Sequence, residues 1–324
     1  MDTTTTTAIT ATAAAAKRRP LKARDLAPYL FVSPFFLLFA IFGLFPLLFS
    51  IWLSVHEWDP AEGLQAMHFV GLENFRFILT DPWFHRAVGN TAWFALATAL
   101  PQHLVALPLA AFIHEKIRRG RDLVVGAYFV PYITSSVAIA LIFTTLLSRD
   151  YGAVNALLVE LTRVPLLGSF MPGHPIDWLG DAHYAKPTVA FVVFWRYLGW
   201  NTVLYLSALQ AISPDLNEAA TLDGAGAVRR FLYVTVPLLR PMIYFAVTLS
   251  IIGSLQLFEE PFILVDIEQG VSQSVMTLAI FMYRLAFGEG DFGAASAVSW
   301  LVFLMIVVLT WLNARLFGRE GRGE

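Results

Sequence analysis

Seven residues in two apolar runs carry the polar chemistry of this chain: Arg196, Tyr197, Asn201 and Tyr205 in one, and Gln256, Glu259 and Glu260 in the other. A charge near the centre of a membrane span costs about 2.5–3.5 kcal/mol on insertion scales, so Arg196 needs a partner or water. If the two runs are antiparallel helices, Arg196 lies roughly 12 Å below its outer end and the glutamates roughly 8 Å below theirs. That permits a pair with Glu259 or Glu260, or a shared polar cavity. In the alternative, Arg196 snorkels outward and the glutamates end a shorter run. Tyr197, Asn201 and Tyr205 recur at i, i+4 and i+8 and share one helical face, while Gln256 lies one turn before the glutamates. Aromatic faces beside neutral hydrogen-bonding groups suit a sugar, with its apolar ring faces and hydroxyl rim. The same groups would serve to bond one helix to another, at about 0.6 kcal/mol each.

Catalytic chemistry has no comparable signature. There is no GxxxxGK[ST] phosphate loop, so the chain has no visible means of cradling ATP. The seven histidines show no HExxH or similar ligand spacing, and His103 beside Gln102 reads as a helix contact rather than a metal ligand. No GxSxG elbow occurs. The absence of cysteine removes disulfides, thiolate catalysis and Cys-based metal sites.

A second polar feature is Ser213 to Pro241, SPDLNEAATLDGAGAVRRFLYVTVPLLRP, a compact island between apolar runs. Ser213 is a plausible N-cap, Pro214 fits the first helical position, and Asp215 and Glu218 complement the positive end of the helix dipole. Asp223-Gly224 stops this short helix. A second helix is expected over Ala225 to Val236, carrying Arg229 and Arg230, before Pro237 and Pro241 mark re-entry into apolar sequence. A plain connection needs only a few turn residues, so this segment is over-built for a linker.

The elements that position these residues follow from composition. The chain is 57% hydrophobic and 14% charged, with a mean hydropathy of +0.63, too apolar for a soluble domain. Helical spans of the length needed to cross roughly 30 Å of hydrocarbon are expected at Tyr29–Leu53, Asn90–Ile113, Leu123–Leu147, Pro187–Ile212, Met242–Val265 and Phe292–Leu316. Alternating segments of about ten residues, the mark of a membrane barrel, are missing. The fold class is therefore all-α, a polytopic membrane protein with six helices. Fifteen basic residues lie before the first span, between the second and third, between the fourth and fifth, and after the sixth; only six lie in the opposite loops. The positive-inside rule then puts both termini and the 213–241 island in the cytoplasm.

Three regions follow: a disordered, Thr/Ala-rich N-terminal tail at 1–24, the six-helix domain at 25–317, and a short C-terminal tail at 318–324. The first span is too long for a signal peptide and lacks a cleavage site. GLENFRFILTDPWFHRAVGNT is expected as a short interfacial helix entered from a Gly turn, with Trp58, Phe75, Phe77, Trp83 and Phe84 suited to the headgroup region. The outer loop at about Ser148 to Lys186 contains YGAVNALL. Prolines 34, 46, 101, 108 and 131 fall inside spans, where neighbouring groups must satisfy the released carbonyls.

The cytoplasmic island resembles the EAA motif of membrane subunits in binding-protein-dependent ATP-binding cassette importers. Glu218, Ala219 and Ala220, then Asp223, Gly224 and Ala225, then Phe231 and Pro237, fall at that motif's spacings. PYLFVSPFFLLFAIFGLFPLLFSIWLS, GLENFRFILTDP, YGAVNALL and TLAIFMYRLAF look like the sugar-permease branch, in an order more similar to MalF-like than MalG-like subunits. Val234 and Val236 stand where the family usually has Ile and Leu, and VDIEQGVSQSV replaces a Gly-rich turn. The resemblance implies a prokaryotic cell-membrane permease, not an enzyme. It would work with a second, MalG-like permease subunit, a cytoplasmic ATPase dimer that uses ATP and Mg, and an extracytoplasmic solute-binding protein. It implies no cofactor on this chain and no nucleic-acid partner. The helix around Glu218 to Leu222 would enter a groove on the ATPase. The rival from another class is an ATP-independent secondary transporter or channel, which would often show internal repeats with broken helices and a midplane acid; no convincing repeat is present, and Glu259 and Glu260 are the available acids.

Overall fold

The computed structural model describes residues 23–117, 119–164, 174–265 and 271–317. The expected N-terminal tail, through residue 22, and the C-terminal tail at 318–324 lie outside the described residues. The chain forms two compact units, residues 1–50 and 51–324.

The first unit contains α1 (Ala23–Phe39), which runs through a π turn at Ala40–Leu44 into α2 (Phe45–Leu53), whose last three residues belong to the second unit. Pro46 has no N–H to bond the carbonyl of Phe42, and the helix widens just before it, with Phe45 N–H reaching back to Ala40. The stretch Pro28–Leu53 is long and apolar enough to cross a membrane.

In the second unit α2 is followed by a two-stranded antiparallel hairpin, β1 (His56–Glu57) and β2 (His68–Phe69), a small departure from the all-α expectation. Asn74 of α3 (Glu73–Thr80) fastens it by donating to the Ser54 and His56 carbonyls at 3.0 and 2.9 Å. The expected interfacial helix ends at Thr80. Asp81 then caps α4 (Pro82–Lys116), accepting from Trp83 N–H at 2.8 Å. The rest of the predicted interfacial segment is thus the N-terminal end of the helix that carries the second span, and Phe84 is buried against Phe281.

Three more helices are long enough to cross: α8 (Ala182–Leu209), the Arg240–Leu264 stretch, and α16 (Phe292–Phe317), of which Phe292–Leu316 is the qualifying part. The remaining expected span is broken. Instead of one helix over Leu123–Leu147, α5 (Arg121–Ile133) and α6 (Ser136–Leu146) meet at 93°. Pro131 weakens the end of α5, and Thr134 Oγ1 takes the Val130 carbonyl at 2.7 Å. The fifth expected span is also discontinuous: α12 (Arg240–Leu255) ends before Gln256, and α13 (Glu259–Leu264) restarts the helix. Pro261 has no N–H for the Leu257 carbonyl, which accepts instead from Thr277 Oγ1 at 2.6 Å.

Thr277 belongs to an element the sequence did not announce. α14 (Ser272–Val275) and α15 (Leu278–Tyr283), the latter continued by a π turn at Arg284–Gly288, follow α13. The 278–288 helix is about 16 Å long at 1.5 Å per residue, too short to span, yet Leu278, Ile280, Phe281 and Leu285 are buried. Asn90 and Thr91 of α4 hold it: Asn90 donates to the Gln273 and Met276 carbonyls, and Thr91 Oγ1 accepts from Leu278 N–H at 2.9 Å.

α4 and α8 form the spine of the unit. Among the described residues, three buried apolar clusters sit along them, at the α15 and α16 end, around Phe94 and Val189, and around Ile113 and Tyr205. At Gly199 the backbones of α5 and α8 approach so closely that a β-carbon would stand 1.7 Å from the Tyr128 carbonyl oxygen. The YGAVNALL segment leads into α7 (Ala153–Leu161), pinned by Asn155 to Ile176 through two hydrogen bonds.

Candidate functional site

Arg196 is buried on α8, fourteen residues from its start, and its Nη1 lies 2.6 Å from Glu260 Oε1. Glu259 Oε2 is 3.9 Å away and its side chain is 58% exposed, against 6% for Glu260. The partner is therefore Glu260, and Arg196 does not snorkel. Arg196 Nη2 also reaches the Thr134 carbonyl at 3.4 Å, at the bend between α5 and α6. One guanidinium thus touches both helix breaks. The guanidinium carbon lies 5.5 Å from the Tyr197 ring centroid.

Beside this pair is a cavity of about 250 Å³ lined by α4, α5, α8 and α12. Tyr132, Tyr197 and Trp200 supply aromatic faces, and Gln102, Asn201 and Ser254 supply neutral donors and acceptors. Tyr132 and Trp200 stack at 4.6 Å with 22° between their planes, and Tyr197 meets Tyr132 edge-on at 5.8 Å. Asn201 donates to Gln102 Oε1 at 3.2 Å, and Gln102 donates to the Val193 carbonyl at 3.3 Å. These side chains are held in place by one another and by the backbone. The cavity offers flat apolar surfaces beside amide and hydroxyl groups and no formal charge, a surface for a neutral polyol or sugar ring.

The remaining predicted residues divide. Tyr205 shares the face of Tyr197 and Asn201 but is fully buried, with its hydroxyl 2.8 Å from His103 Nδ1; His103 Nε2 is 3.0 Å from Ser250 Oγ. It joins α4, α8 and α12 and lines neither this cavity nor the next. Gln256 lies at the α12 break, so the polar stripe expected along the fifth span does not exist as a continuous face. It lines a different, larger cavity of about 580 Å³, whose walls are mainly Leu, Met, Phe and Ala side chains from α15 and α16. The larger cavity has the poorer chemistry for a polar solute. Tyr132, Trp200, Gln102 and Ser254 were missed, although Trp200 stands three residues after Tyr197, within one helical turn.

The 213–241 island forms as its punctuation indicates. Ser213 Oγ accepts from Asp215 N–H at 3.3 Å and caps α9 (Pro214–Leu222), and Gly224 takes φ +75° to reverse the chain. α10 (Ala227–Arg230), a π turn at Phe231–Thr235 and α11 (Val236–Leu238) follow, so the second helix widens before Pro237 as α1 does before Pro46. Arg230 Nη1 donates to Thr221 Oγ1 at 2.9 Å, and its Nη2 is 3.7 Å from Glu115 on α4. Glu218, Ala219 and Asp223 are exposed, Ala220, Ala225, Phe231 and Pro237 are half-buried, and Leu222 is 90% exposed.

Residues 104–320 match the family described as the binding-protein-dependent transport system inner membrane component. The chain belongs to this family. It is a transport permease and not an enzyme. The permease is 34% identical over 302 residues to the lactose transport system permease protein LacF of Rhizobium radiobacter, covering 93% of this chain and 97% of that one. It is 29% identical to the arabinooligosaccharides transport system permease protein AraP of Bacillus subtilis, over 93% and 92% of the two chains. Its fold is similar to a chain of a bacterial ABC transporter involved in import of alginate, with a TM-score of 0.77 at 22% identity over 92% of this chain and 97% of that one. The resemblance read from the EAA spacing is borne out. The family also bears on the broken helices, which on their own would equally fit a secondary transporter.

Proposed function

We propose that this permease is one of two membrane subunits of an ATP-binding cassette importer for a carbohydrate, in the cell membrane of a prokaryote. Its termini and the 213–241 island face the cytoplasm. A MalG-like subunit completes the pathway, a solute-binding protein delivers the sugar from outside, and a cytoplasmic ATPase dimer binds ATP and Mg. α9 docks in a groove of the ATPase. The observation that carries this coupling role is the exposure of Leu222 beside Glu218 and Ala219, on a helix that Gly224 turns back at φ +75°. Small side chains permit close approach, an exposed leucine gives the groove something to bury, and Glu218 is available to a basic residue.

The 250 Å³ cavity is this subunit's half of the sugar path. That volume lies just below the range of about 300–1,000 Å³ usual for small-molecule sites, consistent with a site completed by a second subunit. The relatives named for lactose and arabinooligosaccharides support a sugar; others named for sn-glycerol-3-phosphate widen the class. The test is uptake by vesicles containing both permease subunits and the ATPase, with the binding protein outside and ATP inside. Uptake of a disaccharide, oligosaccharide or glycerol phosphate that requires ATP and the binding protein is expected. Uptake driven by an ion gradient without ATP, or a preference for an amino acid, would overturn the reading.

A further inference from the structure

Arg196 and Glu260 lie next to the polar cavity without lining it. Tyr132, on α5, is a wall of the cavity, and two residues further along the chain is Thr134, whose carbonyl meets Arg196. Leu257, after α12, is another wall, and three residues further along is Glu260. Both segments run outward in the orientation proposed above, so on the α5 and α12 sides Thr134 and Glu260 stand beyond the wall residues, while on α8, which runs inward, the wall reaches Val193, one turn further out than Arg196. Arg196 projects from α8 toward that same end, since helical side chains lean toward the N-terminus. A straight helix pair could not close there; two broken ones, tied at the breaks, can.

We infer that the Arg196–Glu260 pair is the outer latch of the sugar cavity, a positioning pair that holds the α5–α6 and α12–α13 breaks together and separates to admit solute. This rests on the permease reading above. The bonding of Arg196 fits a contact that opens. Nη1 makes the short contact, to Glu260 at 2.6 Å, and the contact from Nη2 to the Thr134 carbonyl is long at 3.4 Å, so little has to break for the two segments to part. Glu259, 3.9 Å away and exposed, is a second acceptor to which Arg196 can move as the pair parts.

The chain has no cysteine, so a single introduced thiol reports accessibility without background. Ser254→Cys places that thiol on the cavity wall, and Ala297→Cys places a control in the buried cluster between α15 and α16. Each is made in the full chain, assembled with its partners in right-side-out vesicles, and exposed to a membrane-impermeant maleimide without ATP. Arg196→Gln/Glu260→Gln removes the pair without leaving a buried charge, and Arg196→Glu/Glu260→Arg reverses it. The neutral double variant is expected to raise external labelling at position 254 at least fivefold, with no change at 297. The reversed pair is expected to restore much of the protection. Unchanged labelling at 254, an equal rise at 297, no rescue by reversal, or failure of both double variants to insert would overturn the latch. Because the readout uses neither hydrolysis nor uptake, its failure is distinct from failure of the importer reading.

Discussion

A buried arginine is stable in hydrocarbon only through its partner, so the two neighbouring glutamates have unequal weight. Glu260 is buried at 2.6 Å from Arg196, and Glu260→Ala leaves an uncompensated buried cation; the expected loss is about 3–5 kcal/mol. Glu259 is exposed at 3.9 Å, and Glu259→Gln is expected to cost less than about 1 kcal/mol. Thermal unfolding of the detergent-solubilised permease checks both, and equal shifts would contradict the assignment. Gly199 offers a similar contrast. A β-carbon there meets the Tyr128 carbonyl, which cannot rotate away, so Gly199→Ala is expected to destabilise by about 3 kcal/mol, the upper end of ordinary overpacking. Gly126→Ala, with nothing within 4 Å, is expected to leave the midpoint unchanged or raise it slightly.

At the scale of the element, one face of α8 does two jobs. Its C-terminal part bonds helices together through Tyr205 and His103, while Tyr197, Trp200 and Asn201 line the cavity. Tyr205→Phe is expected to lower stability by about 0.5–1.5 kcal/mol, the worth of one hydrogen bond, and to leave apparent affinity for sugar unchanged. Trp200→Ala is expected to weaken that affinity at least tenfold in the uptake assay, with little change in the amount of assembled permease. The shared face was legible because Tyr197, Asn201 and Tyr205 obey helical spacing. Which of them met solvent was not, because that depends on where α4 and α12 lie. The helix breaks were hidden for a related reason. Hydropathy counts apolar residues and is blind to Thr277 taking the Leu257 carbonyl from a helix that Pro261 had already weakened. The short 278–288 helix was invisible as a membrane element because it is too short for the length rule that found the others.

For the whole molecule, the apolar runs and the EAA spacing indicated a polytopic permease, and the family match agrees. The 213–241 island was the most legible part of the chain, since a Ser-Pro start, an Asp-Gly stop and flanking prolines are local signals that need no tertiary contact. α9 forms between Ser213 and Gly224 as those signals require. In the importer proposed above, this island transmits ATP hydrolysis to the pathway. The direct test is sugar- and binding-protein-stimulated ATP hydrolysis by the assembled complex, wild type against Glu218→Arg, with ATPase retention on the purified permease recorded in parallel. Glu218→Arg is expected to lose most of the stimulated hydrolysis, at least tenfold, and to retain less ATPase, while membrane insertion is unchanged because Glu218 is exposed. Equal ATPase association and equal stimulated hydrolysis in the two proteins would contradict it.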